Sequence, residues 1–308
     1  MKGLEQCFHR ENHLLMEGAL GERLKREYQL APDPVVALAS MVETAQGRTA
    51  LGEIWGEYIA IAQKYRLPFL ATTPTRRANR ERISLSGFGD SILKDNVDFL
   101  KEIRAESPTS MYVGGLMGCK GDAYTGAGAL GEREARVFHS WQAQRLAAAG
   151  VDFLMAGIMP TAPEAAGMAR AMSETGLPYF ISFTIQADGR LIDGTSIHDA
   201  IVHIDGAVRI RPVCYMANCV HPTIVRKALA QPWNRTTAVQ ERFQGVQANT
   251  SPLPYAQLDG ATDLHCTDPR ALALEMAALR REMNLKIWGG CCGTDSRHME
   301  EMAKRMKN

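Results

Sequence analysis

Short, nearly uninterrupted apolar runs alternate with longer amphipathic stretches along the whole chain. Eight such runs stand at 12–18, 67–73, 110–116, 151–156 and 178–183, within 208–218, near 244–248 and at 285–288. Continuous apolar runs of this length read as strands buried on both faces, which is the signature of a parallel sheet covered by helices. Between them the clearest helical patterns are Glu132–Ala149, with Val137, Trp141 and Leu146 on the apolar face, and the Ala- and Leu-rich Pro269–Met283. Asp268 before Pro269, and Thr294-Asp295 after the last run, supply helix-start signals. An open doubly wound sheet produces a similar alternation. Eight strand–helix units in 308 residues fit a single (β/α)8 barrel over 1–308 better.

Composition narrows the function without choosing it. The chain is 45% hydrophobic and 22% charged, and 35 basic residues against 34 acidic ones leave a net charge of +1. No basic field draws it to nucleic acid or an anionic membrane, and no run approaches the ~18 apolar residues of a membrane span. The opening residues Met1-Lys2-Gly3-Leu4-Glu5 lack a signal-peptide apolar stretch, so the expected compartment is the cytoplasm. Seven cysteines do not make a secreted disulfide framework, and in a reducing compartment clustered cysteines bind metal or do chemistry.

In a barrel of this kind, active sites gather at the C-terminal ends of the strands. Cys219 follows the sixth run, and Cys291 and Cys292 follow the eighth inside Gly289-Gly290-Cys291-Cys292-Gly293-Thr294. Three thiolates with an open fourth position would make a catalytic zinc arrangement. Inert burial and a strained vicinal disulfide are the alternatives. The isolated Cys7, Cys214 and Cys266 read as packing.

The GGCCGT stretch, with Asn218-Cys219 about 70 residues upstream, resembles the zinc-dependent homocysteine S-methyltransferase family. The likeness extends to Leu15-Met16-Glu17-Gly18-Ala19-Leu20-Gly21, to Ala149-Gly150-Val151-Asp152-Phe153-Leu154, and to Gly176–Phe183 with the turn Asp188–Thr195. It implies a Zn2+ held by Cys219, Cys291 and Cys292, a small-molecule thiol acceptor and an activated methyl donor. Homocysteine is the implied acceptor and methionine the product. Glu17, Thr73 and Asn218 are the expected substrate contacts.

The family pattern also breaks. Gly157-Ile158 stand where the resemblance implies Glu-Thr, the glutamate being the holder of the amino group; Glu17 replaces an aspartate, and Glu22 a threonine. These exchanges keep open a different thiol acceptor, a corrinoid-protein methyl donor, or a non-catalytic zinc- or thiol-sensing barrel. Asp122 and Tyr124 resemble a family loop on the donor side. His221 reads as a solvated helix-start residue and is left out of the ligand set. Arg76, Arg77, Arg80 and Arg82 read as a solvated loop, with an anion or partner contact as the alternative, and Met155, Met159, Met168 and Met172 as core.

Overall fold

The computed structural model describes residues 3–253 and 267–307. Eight parallel strands close in sequence order: β1 Leu14–Met16, β2 Phe69–Thr72, β3 Met111–Gly118, β4 Phe153–Met159, β5 Tyr179–Phe183, β6 Cys214–Val220, β7 Phe243–Ala248 and β8 Ile287–Gly290. The ring is completed by Leu14 pairing with Ile287 and Leu15 with Trp288. Every predicted strand is present. β3, β4, β6 and β8 run past their apolar runs into the glycines, Asn218 and Cys219 at the mouth.

Alternate side chains of each strand divide between two cores. Leu14, Met16, Leu70, Tyr112, Phe153, Met155, Phe180, Cys214, Met216 and Ile287 fill the barrel interior. Phe153 and Phe180 meet edge-to-face there, ring centroids 5.3 Å apart. The helix Leu4–Arg10 adds Leu4, Cys7 and Phe8 to that interior cluster, and Lys286 Nζ donates to Phe8 O at 2.8 Å. The other strand residues, Leu15, Val113, Leu154 and Ile181 among them, pack outward against the helices.

One helix face departs from its pattern. The helix Glu132–Ala148 buries Ala135, His139, Gln142, Ala143 and Leu146, whereas Val137 is 73% exposed and Trp141 only half-buried. Two polar residues take the inner face because they find partners there. His139 Nε2 bonds Glu164 Oε1 at 3.1 Å, and Gln142 Nε2 donates to Thr75 O at 2.9 Å. The helix Pro269–Glu282 starts as its sequence indicates, with Asp268 Oδ1 accepting from the amides of Arg270 and Ala271. Asp295 does the same for Arg297 and His298 ahead of the last helix, Ser296–Lys307. No helix among the described residues is long and apolar enough to cross a membrane. Cys266 lies outside the described residues.

Candidate metal and substrate site

Strand alternation sends neighbouring side chains to opposite faces, so Asn218 and Cys219 would ordinarily diverge. They do not, because Cys219 adopts a left-handed backbone (φ 62°) and the β6–β7 register shifts between Asn218 and Val220. Both side chains then face the mouth. Ile158 repeats the device at the end of β4, with φ 55° and a register shift between Ala156 and Met159. A β-branched residue at positive φ is held against its preference at a cost of about 1–3 kcal/mol. The two irregularities are joined: Ile158 N donates to Asn218 Oδ1 at 2.8 Å.

The second half of the cluster comes from the turn after β8. Cys291 N donates to Ala248 O at 2.8 Å and Thr250 N to Cys292 O at 3.1 Å, which lace the turn to the end of β7. Thr294 Oγ1 donates to Cys291 O and accepts from Ala19 N. Glycine is required on both sides of the pair. A Cβ at Gly290 would lie 2.2 Å from Thr294 Oγ1, and Gly293 has φ 82° with Thr250 Oγ1 1.9 Å from where its Cβ would be.

The sulfurs of Cys219, Cys291 and Cys292 lie within 4.8 Å of one another, and Cys219 Sγ is 3.4 Å from Cys292 Sγ. Ligands ~2.3 Å from a tetrahedral ion stand ~3.8 Å apart, so this donor set has the spacing and chemistry of three corners of a zinc site. All three thiols are free and half-buried. Hydrogen bonds from Cys291 and Cys292 pull Cys219 well below the usual thiol range, while the same contacts push Cys291 and Cys292 well above it. Asn249 Nδ2 donates to Cys219 Sγ at 3.7 Å, and the Tyr124 hydroxyl also bonds it.

A cavity of about 410 Å³ opens over the cluster and is lined by Glu17, Thr72, Thr73, Asn218 and all three cysteines, with Leu20, Leu38, Leu116 and Ile158 as apolar wall. Glu17 is 4% exposed; it accepts from Trp55 Nε1 at 2.7 Å, from Thr72 N at 3.0 Å and from the Thr72 hydroxyl. Burial outweighs these bonds and pushes its carboxyl up to about 7. Thr73 Oγ1 is occupied by Thr75 Oγ1 and Leu116 N, so its hydroxyl braces the ends of β2 and β3. His221 is buried and not solvated: its Nδ1 bonds Thr223 and caps the following helix, and it is not part of the sulfur cluster.

The loop after β3 carries Tyr124 into the cavity wall. Asp122 shapes that loop by accepting from the amides of Tyr124 and Thr125. Glu164, fully buried on the helix Ala162–Ser173, closes it by accepting from Lys120 N at 2.7 Å and Leu130 N at 3.3 Å. Sequence reasoning missed Glu164, because one acid in a helix carries no signal of the loop it clamps. It also assigned Arg76 and Arg77 to a solvated loop, whereas both line the cavity; Arg80 is exposed, and Arg82 donates to Val35 O.

A closed parallel barrel with three thiols converging at its C-terminal mouth defines a barrel able to hold a thiolate-bound metal ion beside a substrate cavity. The family model for homocysteine S-methyltransferase matches residues 14–306, and the chain belongs to that family. The fold is also similar to solved structures of the homocysteine methyltransferase MmuM from Escherichia coli. The oxidized form matches with TM-score 0.76 over 96% of this chain and 97% of that one, at 18% identity. The metallated form matches with TM-score 0.75 over 98% and 99%, also at 18% identity. No curated protein matches the chain by sequence search.

Proposed function

We propose that this chain is a zinc-dependent S-methyltransferase that moves a methyl group from an activated donor to a thiol, with homocysteine the first acceptor to test. The observation that carries the proposal is the three-sulfur cluster with its open side toward the cavity. Zinc, when bound, lowers the pKa of a substrate thiol enough to hold it as a thiolate at neutral pH. The rest is done by the chain. Contacts with Cys219 push the Cys291 and Cys292 thiols above their usual range, and because a metal takes them as thiolates, loading would release protons and tighten as pH rises. Tyr124 and Asn249 donate to Cys219 Sγ and fix its direction. Leu20, Leu38, Leu116 and Ile158 limit water beside the reacting sulfur, and the rigid strand ends set its line of attack.

The test is the metal content of purified, reduced protein, followed by methyl transfer to homocysteine from S-methylmethionine, betaine or S-adenosylmethionine. About one zinc per chain with methionine formed supports the proposal; undiminished transfer by metal-free protein refutes it. A second reading keeps the thiolate chemistry with another thiol, and Gly157 is the observation that favours it. Zinc without methionine formation supports that reading.

A further inference from the structure

Five ionisable side chains besides the cysteines and Tyr124 line the cavity: Glu17, Glu22, Lys25, Arg76 and Arg77. Of the two acids, Glu17 is already occupied, buried among Trp55 and Thr72 donors, whereas Glu22 stands 4.0 Å from Arg26 on its own helix with its Oε2 making no hydrogen bond. The two arginines form no ion pair among the described residues. Arg48, Arg136 and Arg170 elsewhere each reach a carboxylate, but neither Arg76 nor Arg77 pairs with one among the described residues. Arg77 is anchored by Nη1 donating to Gly121 O at 3.1 Å, and Arg76 lies with its aliphatic stem against Gly118. Burial, and after it the like charges of Arg82 and Arg76, push Arg77 below the usual guanidinium range against the opposing attraction of Asp122. Next to Gly118, its partner on β3, the end of β4 offers Gly157 and no acid to meet an ammonium group.

We infer that Arg76 and Arg77 bind the carboxylate of the thiol acceptor, and that the site reads an ω-mercapto carboxylate with little use of an α-amino group. This inference rests on the thiol-methyltransferase reading. Guanidinium forks match carboxylates in two-bond geometry, and two of them on one wall would fix the chain direction of a short thiol whose sulfur points at Cys219, Cys291 and Cys292.

The experiment is calorimetric titration of the zinc-loaded protein and its Arg76→Ala and Arg76→Lys variants. Four probes are used: homocysteine, 4-mercaptobutanoate, 4-mercaptobutanamide and the thioether 4-(methylthio)butanoate. Arg76 is chosen because Arg77 also holds the loop at Gly121. The expected result is 4-mercaptobutanoate binding at least as tightly as homocysteine and about tenfold tighter than the amide. Arg76→Ala erases that gap without changing amide affinity, and Arg76→Lys keeps part of it. Homocysteine binding tenfold tighter than its desamino analogue, or a carboxylate preference that survives Arg76→Ala, overturns the inference. So does an Arg76→Ala effect confined to the methyl donor's KM, which would assign the anion to the donor. If no thiol binds but the thioether carboxylate binds in an Arg76-dependent way, the anion site stands and the metal–thiolate reading falls.

Discussion

Introducing an acid at Gly157 tests both the family resemblance and the missing ammonium contact. Gly157 continues the inward phase of Phe153 and Met155 on β4, which puts it in the top layer of the barrel interior. Its φ is not in the left-handed region, so an L side chain fits the backbone. A Cβ there would meet Leu116 Cδ1 at 2.9 Å, the far end of a side chain that can rotate, and would stand 3.9 Å from Asn218 Nδ2. Gly157→Glu therefore costs a small shift of Leu116 and the burial of a carboxylate with an amide donor close by. A charge-assisted hydrogen bond to an ammonium group contributes about 1.5–3 kcal/mol, a factor of about 10–150 in affinity. Desolvation of the new carboxylate reduces this, so about tenfold tighter homocysteine binding is expected. The same variant gains nothing for 4-mercaptobutanoate, which has no ammonium. Calorimetry on zinc-loaded protein, with circular dichroism confirming the fold, measures both. A folded Gly157→Glu protein that binds homocysteine no tighter, or shifts both thiols equally, would refute the missing-anchor reasoning.

Other consequences follow from the same geometry. Cys219→Ala or Cys291→Ala should lower zinc stoichiometry and abolish methyl transfer while far-UV dichroism stays barrel-like; full activity in a metal-depleted variant sinks the mechanism. Asn218→Ala leaves the buried Ile158 amide without its acceptor, and urea unfolding should show a loss of about 1–3 kcal/mol; no loss would mean the strained end of β4 is held by packing alone. Glu164→Ala strips the buried clamp from Lys120 N, Leu130 N and His139, so faster hydrogen exchange across 119–131 is expected, with a stability loss of about 3 kcal/mol. Glu17 gives a pH signature. Its carboxyl is raised to about 7 in the fold, so the native state keeps a proton that the unfolded chain loses above about pH 4.5. Stability should fall by about 3 kcal/mol as pH rises from there to 7, and Glu17→Gln should flatten that slope in urea titrations; an unchanged slope removes Glu17 as its source.

The strands were legible because each has an apolar run long enough to fill two cores, and the order of runs leaves few ways to connect them. The cysteine cluster was legible because glycines bracket Cys291-Cys292 in a pattern that little else requires. What the pattern could not show lies where each run stops. The apolar signal ends at Leu116, Ala156 and Trp288, yet β3, β4 and β8 continue to Gly118, Met159 and Gly290. Hydrophobic periodicity reports burial by apolar side chains, and glycines interrupt it here: Gly118 ends β3, Gly289 and Gly290 end β8, and Gly157 separates Ile158 and Met159 from the rest of β4. Val137 failed for the complementary reason: a histidine and a glutamine satisfied by Glu164 and Thr75 took the inner face of their helix.

The same reasoning explains why the substrate wall was harder to read than the metal cluster. Three thiols need only be near one another, and two short motifs at strand ends achieve that. Recognition of the rest of the acceptor depends on which charges remain uncompensated after the fold has used its own. Glu17 looks available in sequence but already accepts bonds from Trp55 and Thr72, while Arg76 and Arg77 look like solvent-facing charge but line the cavity with no ion-pair partner among the described residues. Composition counts both kinds of residue alike. Only the accounting of partners separates an acid that the fold has consumed from a base left for a ligand, and that accounting shifts the expected recognition from the ammonium end of an amino acid to its carboxylate.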